Sequence, residues 1–316
     1  MDGKTQTVLQ DRKISSGIAM NSHKIKLLNE YLHERFGCKV YKIALNGGFT
    51  CPNRDGSIAS GGCIFCSEGG SGEFAGDPSL SITDQIEQGK RRVSEKEKDG
   101  KYIAYFQAYT GTYAPVEKLR RLYTEAMEHP DIVALSIGTR PDCLPNEVIH
   151  LLSGLNLIKP VWVELGLQTI HEKSAEYIRR GYDLSVYDMA VKKLREQDIE
   201  VITHMIIGLP GEEISDILAT VRYICDSGAT GIKLQLLHVL KGTDLEKEYN
   251  AGRVRILTED EYIDILKKCL EIIPENVIIH RLTGDGDKRI LIAPQWSGNK
   301  KHVLNRIRNE LMNIEK

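Results

Sequence analysis

Three cysteines in one short loop carry the chemistry that this sequence offers first: Cys51-Pro-Asn-Arg-Asp-Gly-Ser-Ile-Ala-Ser-Gly-Gly-Cys63-Ile-Phe-Cys66, directly after the apolar run Val40 to Leu45. Thiolates are metal ligands, and their number matters. A structural zinc ion takes four N or S ligands and is closed, whereas an iron–sulfur cluster held by three cysteines leaves one iron open to a small molecule. Three ligands with no fourth close by favour the open iron. A zinc knuckle that borrows a distant Cys or His is the alternative, because C-x2-C is common in zinc sites. Gly56, Gly61 and Gly62 let the backbone wrap a bulky inorganic core, Pro52 stiffens the turn after the first ligand, and Phe65 shields the core from water.

Further polar residues recur where apolar runs end. Gln107-Ala-Tyr109-Thr-Gly111-Thr112-Tyr113 follows the run at 102–107, and such a cluster either lines a ligand pocket or caps the fold. In Gly138-Thr-Arg140-Pro-Asp142-Cys143, Arg140 either grips a carboxylate bidentately or pairs with Asp142. Alternation in Val161-Trp-Val-Glu164-Leu-Gly-Leu-Gln168 puts the Val and Leu residues on one face and Trp162, Glu164 and Gln168 on the other. A buried Glu164 then needs an ammonium or hydroxyls to satisfy it. His204, Gln235 and His238 sit in or after later runs, His204 either reaching substrate or resting as a satisfied core histidine. Glu212 reads as favouring a helix N-terminus through the macrodipole. Cys38, Cys143, Cys225 and Cys269 read as structural.

These segments together resemble the radical S-adenosylmethionine (SAM) enzymes, whose usual ligand spacing is C-x3-C-x2-C. Here the first gap is eleven residues and the C-x2-C is kept, which looks like the Elp3-like branch and its YhcC/YtqA type. Gly-Thr-Arg-Pro-Asp and Ile178-Arg-Arg180-Gly-Tyr182 resemble the same branch, and the resemblance spans roughly residues 24 to 310. It implies a [4Fe-4S] cluster on Cys51, Cys63 and Cys66, and SAM chelated to the free iron through its amino and carboxylate groups. SAM would be held by Gln107, Arg140, Glu164, Gln168 and Arg180, with adenine against the backbone at Gly208. An electron from the cluster would cleave SAM to a 5′-deoxyadenosyl radical that abstracts hydrogen from substrate, with no protein base assigned. The implied substrate is the wobble uridine of tRNA, with 5-carboxymethylaminomethyluridine converted to 5-aminomethyluridine. A small-molecule or protein substrate, or a zinc-containing RNA-binding protein without radical chemistry, are the other readings. The implied partners are tRNA and an external electron donor such as a flavodoxin or ferredoxin.

The elements that must position these residues alternate regularly. Strand-like runs at 40–45, 102–107, 132–138, 161–167, 201–207, 231–237 and 277–281 are separated by helical spacing at 83–98, 116–128, 146–155, 185–197, 212–227 and 259–272. A leading helix is expected over His23 to Phe36. Strands alternating with helices imply parallel pairing and a full or partial TIM-like barrel, with function at the C-terminal strand ends. No G-x-G-x-x-G follows the first strand, which argues against a doubly wound sheet. With the resemblance, the fold expected is a partial TIM-like (βα)6 radical SAM barrel over 23–284, a mobile segment at 1–22 and a basic C-terminal extension at 285–316.

The bulk properties agree. The 316 residues are 41% hydrophobic, enough for a barrel-sized core. There is no run of eighteen apolar residues, so no membrane span is expected, and Met1 to Ser22 lacks a secretory pattern, so the protein is expected in the cytoplasm. Seven cysteines, an odd number, do not form a disulfide framework. A net charge of −2 excludes a globally basic nucleic-acid coat. One local run differs: Lys288, Arg289, Lys300, Lys301, Arg306 and Arg308 occur with no acidic residue between 288 and 308. With Trp296 stacking on a base, it would grip tRNA phosphates; the plain alternative is a solvated helix face.

Overall fold

The computed structural model describes residues 18–20, 23–94, 100–284 and 286–312. The chain begins with β1 (Ile18–Met20), β2 (His23–Ile25), α1 (Leu28–Phe36), β3 (Val40–Leu45), α2 (Ile82–Ser94), β4 (Lys101–Phe106), α3 (Val116–Glu128) and β5 (Ile132–Thr139). It continues with α4 (Asn146–Asn156), β6 (Val161–Gln168), α5 (Glu172–Tyr177), α6 (Leu184–Arg195), β7 (Glu200–Ile207), α7 (Ile214–Asp226) and β8 (Gly231–Leu236). Then come β9 (Val239–Leu240), α8 (Asp244–Asn250), α9 (Glu259–Leu270), β10 (Ile278–Arg281), β11 (Leu291–Ala293) and α10 (Lys300–Met312).

Seven strands form one parallel sheet in the order β10-β8-β7-β6-β5-β4-β3. Each crossover between neighbours carries helix, which is the alternation seen in the sequence. The sheet is curled. Laid flat at the ordinary strand spacing, β3 and β8 would be ~24 Å apart, yet Lys42 of β3 and Lys233 of β8 both hydrogen-bond Glu164 of β6. Only a half-barrel brings them together. Val161, Val163, Leu165 and Leu167 pack outward into the main core against the helices, as period-two alternation predicts.

Inward-facing residues fill two levels. At the lower level Ile103, Ala134, Trp162 and Ile202 form an apolar plug that α1 completes with Leu28, Leu32 and Phe36. Trp162 is fully buried, with the Tyr31 ring 6.2 Å and the His280 ring 5.7 Å away. Tyr31 also donates to Glu200 at the start of β7, fixing α1 across that end. The polar level lies above this plug.

The leading helix starts later than its apolar spacing predicts. Residues 23–25 are strand, and the Lys26 carbonyl accepts from Ile279 N (2.9 Å) beside a parallel bridge from Leu27 to Ile279. Pairing with the otherwise bare edge of β10 outweighs helical propensity there. The end expected for α2 near 98 and most of the segment expected to be mobile at 1–22 lie outside the described residues. The C-terminal run is built into the fold: β11 pairs with β9, and Val303 and Ile307 of α10 sit in the main core. Trp296 packs on Tyr262 at 5.8 Å, and its Nε1 donates to the Leu257 carbonyl at 3.1 Å. The indole is therefore structural here, not displayed for base stacking. Arg289 binds Asp287, and Arg306 binds Asp260 with Glu259 at 3.5 Å, so two cations of the run are neutralised within the chain. Lys288, Lys301 and Arg308 are exposed.

Candidate active site

The long β3–α2 connection crosses the C-terminal ends of the strands and holds the three thiols. Its turn is closed by its own backbone, with Arg54 N donating to Cys51 O (2.8 Å), Gly62 N to Asn53 O (2.7 Å) and Cys66 N to Cys63 O (3.0 Å). Gly62 has φ +74, and a Cβ there would lie 3.0 Å from the Arg54 Nε, so this turn requires glycine. Gly70, at φ +59, lies against the Tyr109 ring, where a Cβ would come within 2.4 Å. Side chains stitch the loop to the barrel. Asn53 Nδ2 donates to the Arg179 carbonyl (2.7 Å) and lies 3.6 Å from Cys63 Sγ, while Arg54 Nη2 donates to the Cys66 carbonyl (2.9 Å).

Cys51, Cys63 and Cys66 all line one cavity of about 450 Å³ that runs from this loop down into the half-barrel. All seven cysteines are free thiols. Burial, then the neighbouring Cys66, pushes the Cys63 thiol up to about 12, and burial also raises Cys66. Such sulfurs keep their protons unless a cation replaces them. Among the described residues no three His, Cys, Asp or Glu side chains are gathered tightly enough for a single ion. The Asn53 Oδ1 atom, buried without a hydrogen-bond partner, lies beside this region, whereas Arg180 Nη2 lies 3.5 Å from the Glu172 carboxylate. An all-sulfur donor set of three at a cavity mouth, with the unsatisfied Asn53 oxygen close by, fits a three-cysteine cluster.

At the cavity floor the Glu164 carboxylate is fully enclosed. Oε1 accepts from Lys42 (2.6 Å) and Ser136 (2.7 Å), and Oε2 accepts from His204 (2.8 Å) and Lys233. Burial alone would raise its pKa, but Lys233, Lys42 and His204 outweigh burial and hold the carboxyl well below the usual range. Burial and Lys233 push His204 down to about 4. The ring is therefore neutral, and its partners assign the tautomer: Nε2 donates to Glu164 and Nδ1 accepts from Gln235 Nε2 at 3.2 Å. The sequence left an ammonium or ribose hydroxyls as the partner of Glu164, and the chain itself supplies two ammoniums.

The other expected residues divide. Gln107, Arg140, Gln168 and Arg180 line the same cavity as the cysteines and Glu164. Gln107 Nε2 donates to the Ser71 carbonyl (2.9 Å), and Gln168 adopts φ +70 at the end of β6. Arg140 spends its fork on Asp142 (2.9 and 2.7 Å) and donates its third nitrogen to the Arg180 carbonyl (2.9 Å). Of the two readings of that arginine, the structure has the internal pair. Arg180 is 2% exposed and donates to the Thr169 carbonyl at 2.7 Å. Gly208 is not among the cavity-lining residues; its φ of +92 and the Leu257 side chain, 3.0 Å from where a Cβ would sit, account for the glycine. Glu212 accepts from the Thr169 hydroxyl (2.6 Å), and the first turn of α7 is closed instead by Glu213 N donating to Asp216 (2.9 Å). Thr112 bonds Thr139 and the Cys143 carbonyl and is structural.

Sequence reasoning missed Lys42, Tyr105, Ser136, Lys233 and His280, all in strands and all but Ser136 lining the cavity. The signal existed for Lys233: in Gly-Ile-Lys-Leu-Gln-Leu it shares the face of Gln235.

A parallel half-barrel with a three-thiol loop above its C-terminal strand ends defines a class, and the comparisons agree. The chain belongs to the radical SAM superfamily: residues 51–224 match the family described as "Radical SAM superfamily", starting at Cys51, and residues 229–313 match the "Radical_SAM C-terminal domain". Members of this superfamily are enzymes that generally use SAM and an iron–sulfur cluster. Within it the chain is similar to the protein YtqA of Bacillus subtilis, 49% identical over 90% of this chain and 89% of that protein. It is 26% identical to the tRNA uridine(34) acetyltransferase of Methanocaldococcus jannaschii over 84% of this chain, spanning about half (56%) of that longer protein. The structure of archaeal Elp3 from Methanocaldococcus infernus shares the fold at TM-score 0.63 and 21% identity, covering 86% of this chain and 63% of that one. No helix among the described residues is long and apolar enough to cross a membrane.

Proposed function

We propose that this radical SAM enzyme binds a [4Fe-4S] cluster through Cys51, Cys63 and Cys66 and converts 5-carboxymethylaminomethyluridine to 5-aminomethyluridine at the tRNA wobble position. The observation that carries the cluster is the convergence of those three thiols on one cavity, in a family match that begins at Cys51. When bound, such a cluster supplies the electron that splits SAM to a 5′-deoxyadenosyl radical. The chain's own residues do the rest. Asn53 and Arg54 hold the loop, Phe65 covers it, and Gln107, Gln168 and Arg180 offer polar groups between the mouth and the floor. The half-barrel and its plug around Trp162 exclude water from below.

The tRNA reading is supported by the likeness to a uridine(34)-modifying enzyme and by the exposed Lys288, Lys301 and Arg308. A small molecule or protein is the second reading, favoured by the internal pairing of Arg289 and Arg306. Either reading takes an electron from an external flavodoxin or ferredoxin and places the chain in the cytoplasm. Reconstitution without oxygen, using iron and sulfide, is expected to give a brown protein that releases 5′-deoxyadenosine from SAM. Wobble-uridine analysis of tRNA from a deletion strain is expected to show the carboxymethylaminomethyl form accumulating. An unchanged profile removes the tRNA reading, and a colourless protein removes the cluster.

A further inference from the structure

We infer that the cavity floor is a receptor for the anionic end of the substrate, with Lys42 the residue that meets the anion and Glu164 and Lys233 holding Lys42 in place. In its carboxylate form this rests on the tRNA reading, since the side chain to be remodelled there ends in one.

The case begins with charge. Two ammoniums, Lys42 and Lys233, converge on a single buried carboxylate, Glu164. Burying one ion pair is costly, and burying an additional cation costs more unless a counter-ion arrives. The remaining acidic side chain lining the cavity, Glu73, belongs to the β3–α2 loop and accepts from the Ser67 hydroxyl there. Burial, then Lys42 and Arg281, push Lys233 down to about 7 against the pull of Glu164, so positive groups crowd the one carboxylate from more than one strand.

Geometry then selects Lys42. Both lysines line the cavity, but the Lys233 side chain is 4% exposed and that of Lys42 20%. The Lys42 ammonium lies over the Tyr105 ring at 4.9 Å and the Trp162 ring at 5.5 Å. It is fixed from three sides and can turn a proton to the cavity. Glu164 itself cannot take a new donor easily, because four groups already occupy its oxygens. A second buried atom points the same way: His280 Nδ1 is without a hydrogen-bond partner and its residue lines the cavity. Lys42 and Lys233 each lie three residues before the end of their strand, ~10 Å below the C-terminal strand ends. That depth suits the end of a substrate inserted into the half-barrel.

Two carboxylates are available, the substrate's and that of SAM, and the test separates them. Cluster-loaded protein with SAM is titrated with N-benzylglycine and with N-benzylglycinamide, which differ in the carboxylate. Wild type is expected to prefer the glycine by tenfold or more; Lys42→Met should abolish the preference and Lys42→Arg restore part of it. Equal affinities in wild type, which need no variant, overturn the proposal. So does a preference that survives in a folded Lys42→Met protein, or a variant that loses tenfold in SAM affinity while keeping the probe preference. The same protein is assayed on tRNA. A carboxylate preference without tRNA conversion removes the tRNA reading and keeps the receptor, whereas conversion without the preference does the reverse.

Discussion

The mouth and the floor of the cavity solve opposite problems. The mouth is a long loop without regular structure, tied by backbone hydrogen bonds and by side chains such as Asn53, Arg54 and Gln107, and its functional atoms are three sulfurs, of which burial holds Cys63 and Cys66 protonated. The floor is made of strand residues whose central carboxylate is saturated by Lys42, Ser136, His204 and Lys233. The mouth offers its sulfurs outward to a group the chain does not supply, whereas the floor's carboxylate is bonded within the chain. A site that must assemble a labile inorganic group and still recognise substrate gains from this separation, because losing the group need not unfold the receptor.

That contrast can be broken or sharpened by experiment. Replacing any one of Cys51, Cys63 or Cys66 by Ala is expected to reduce 5′-deoxyadenosine release to the blank and to bleach the brown absorbance. Urea unfolding of the cluster-free variants should stay within about 1 kcal/mol of the cluster-free parent, as the thiols make no strong contact of their own. Survival of either signal would end the assignment of the mouth. Glu164→Gln should behave the other way, destabilising the cluster-free chain by about 3–5 kcal/mol, because the buried Lys233 and the partly buried Lys42 lose their shared counter-charge. A loss under about 1 kcal/mol in the urea midpoint would mean that the floor is not self-supporting.

Acid should weaken the floor next. His204 is held at about 4 in the fold against an ordinary 6.5, and Glu164 is also depressed, so the unfolded chain takes up protons first as pH falls. The His204 contribution, full above about pH 6.5, is then lost progressively toward pH 4, by roughly 1–3 kcal/mol. Melting temperatures of parent and His204→Gln across that range check it, and the variant's curve should be the flatter. The smallest effect lies far from both regions. Arg306→Gln removes partly exposed pairs with Asp260 and Glu259 and should change stability by less than about 1 kcal/mol.

Legibility followed the same division. The mouth was readable because ligand type and spacing are local: Cys51, Cys63 and Cys66 needed no tertiary information. Strand alternation likewise placed Trp162 and Glu164 inward. The partners of Glu164 come from β3 and β8, which only the curl of the sheet brings together, and a lysine in a short strand reads as solvent-facing until that curl is known. Trp296 misled for a related reason, since its basic neighbours suggested display while its ring faces Tyr262. At Gly208, which the resemblance places against adenine, the backbone's own φ of +92 is a further reason for glycine.

The hydrogen bond from Ile279 to the Lys26 carbonyl has a practical reach. It clips a stretch ahead of α1 to the last strand of the sheet, the one that carries His280 and Arg281 into the cavity. Anyone trimming this chain from the front for crystallisation, or splicing a fusion partner near residue 26, would be loosening a wall of the reaction chamber more than 250 positions downstream.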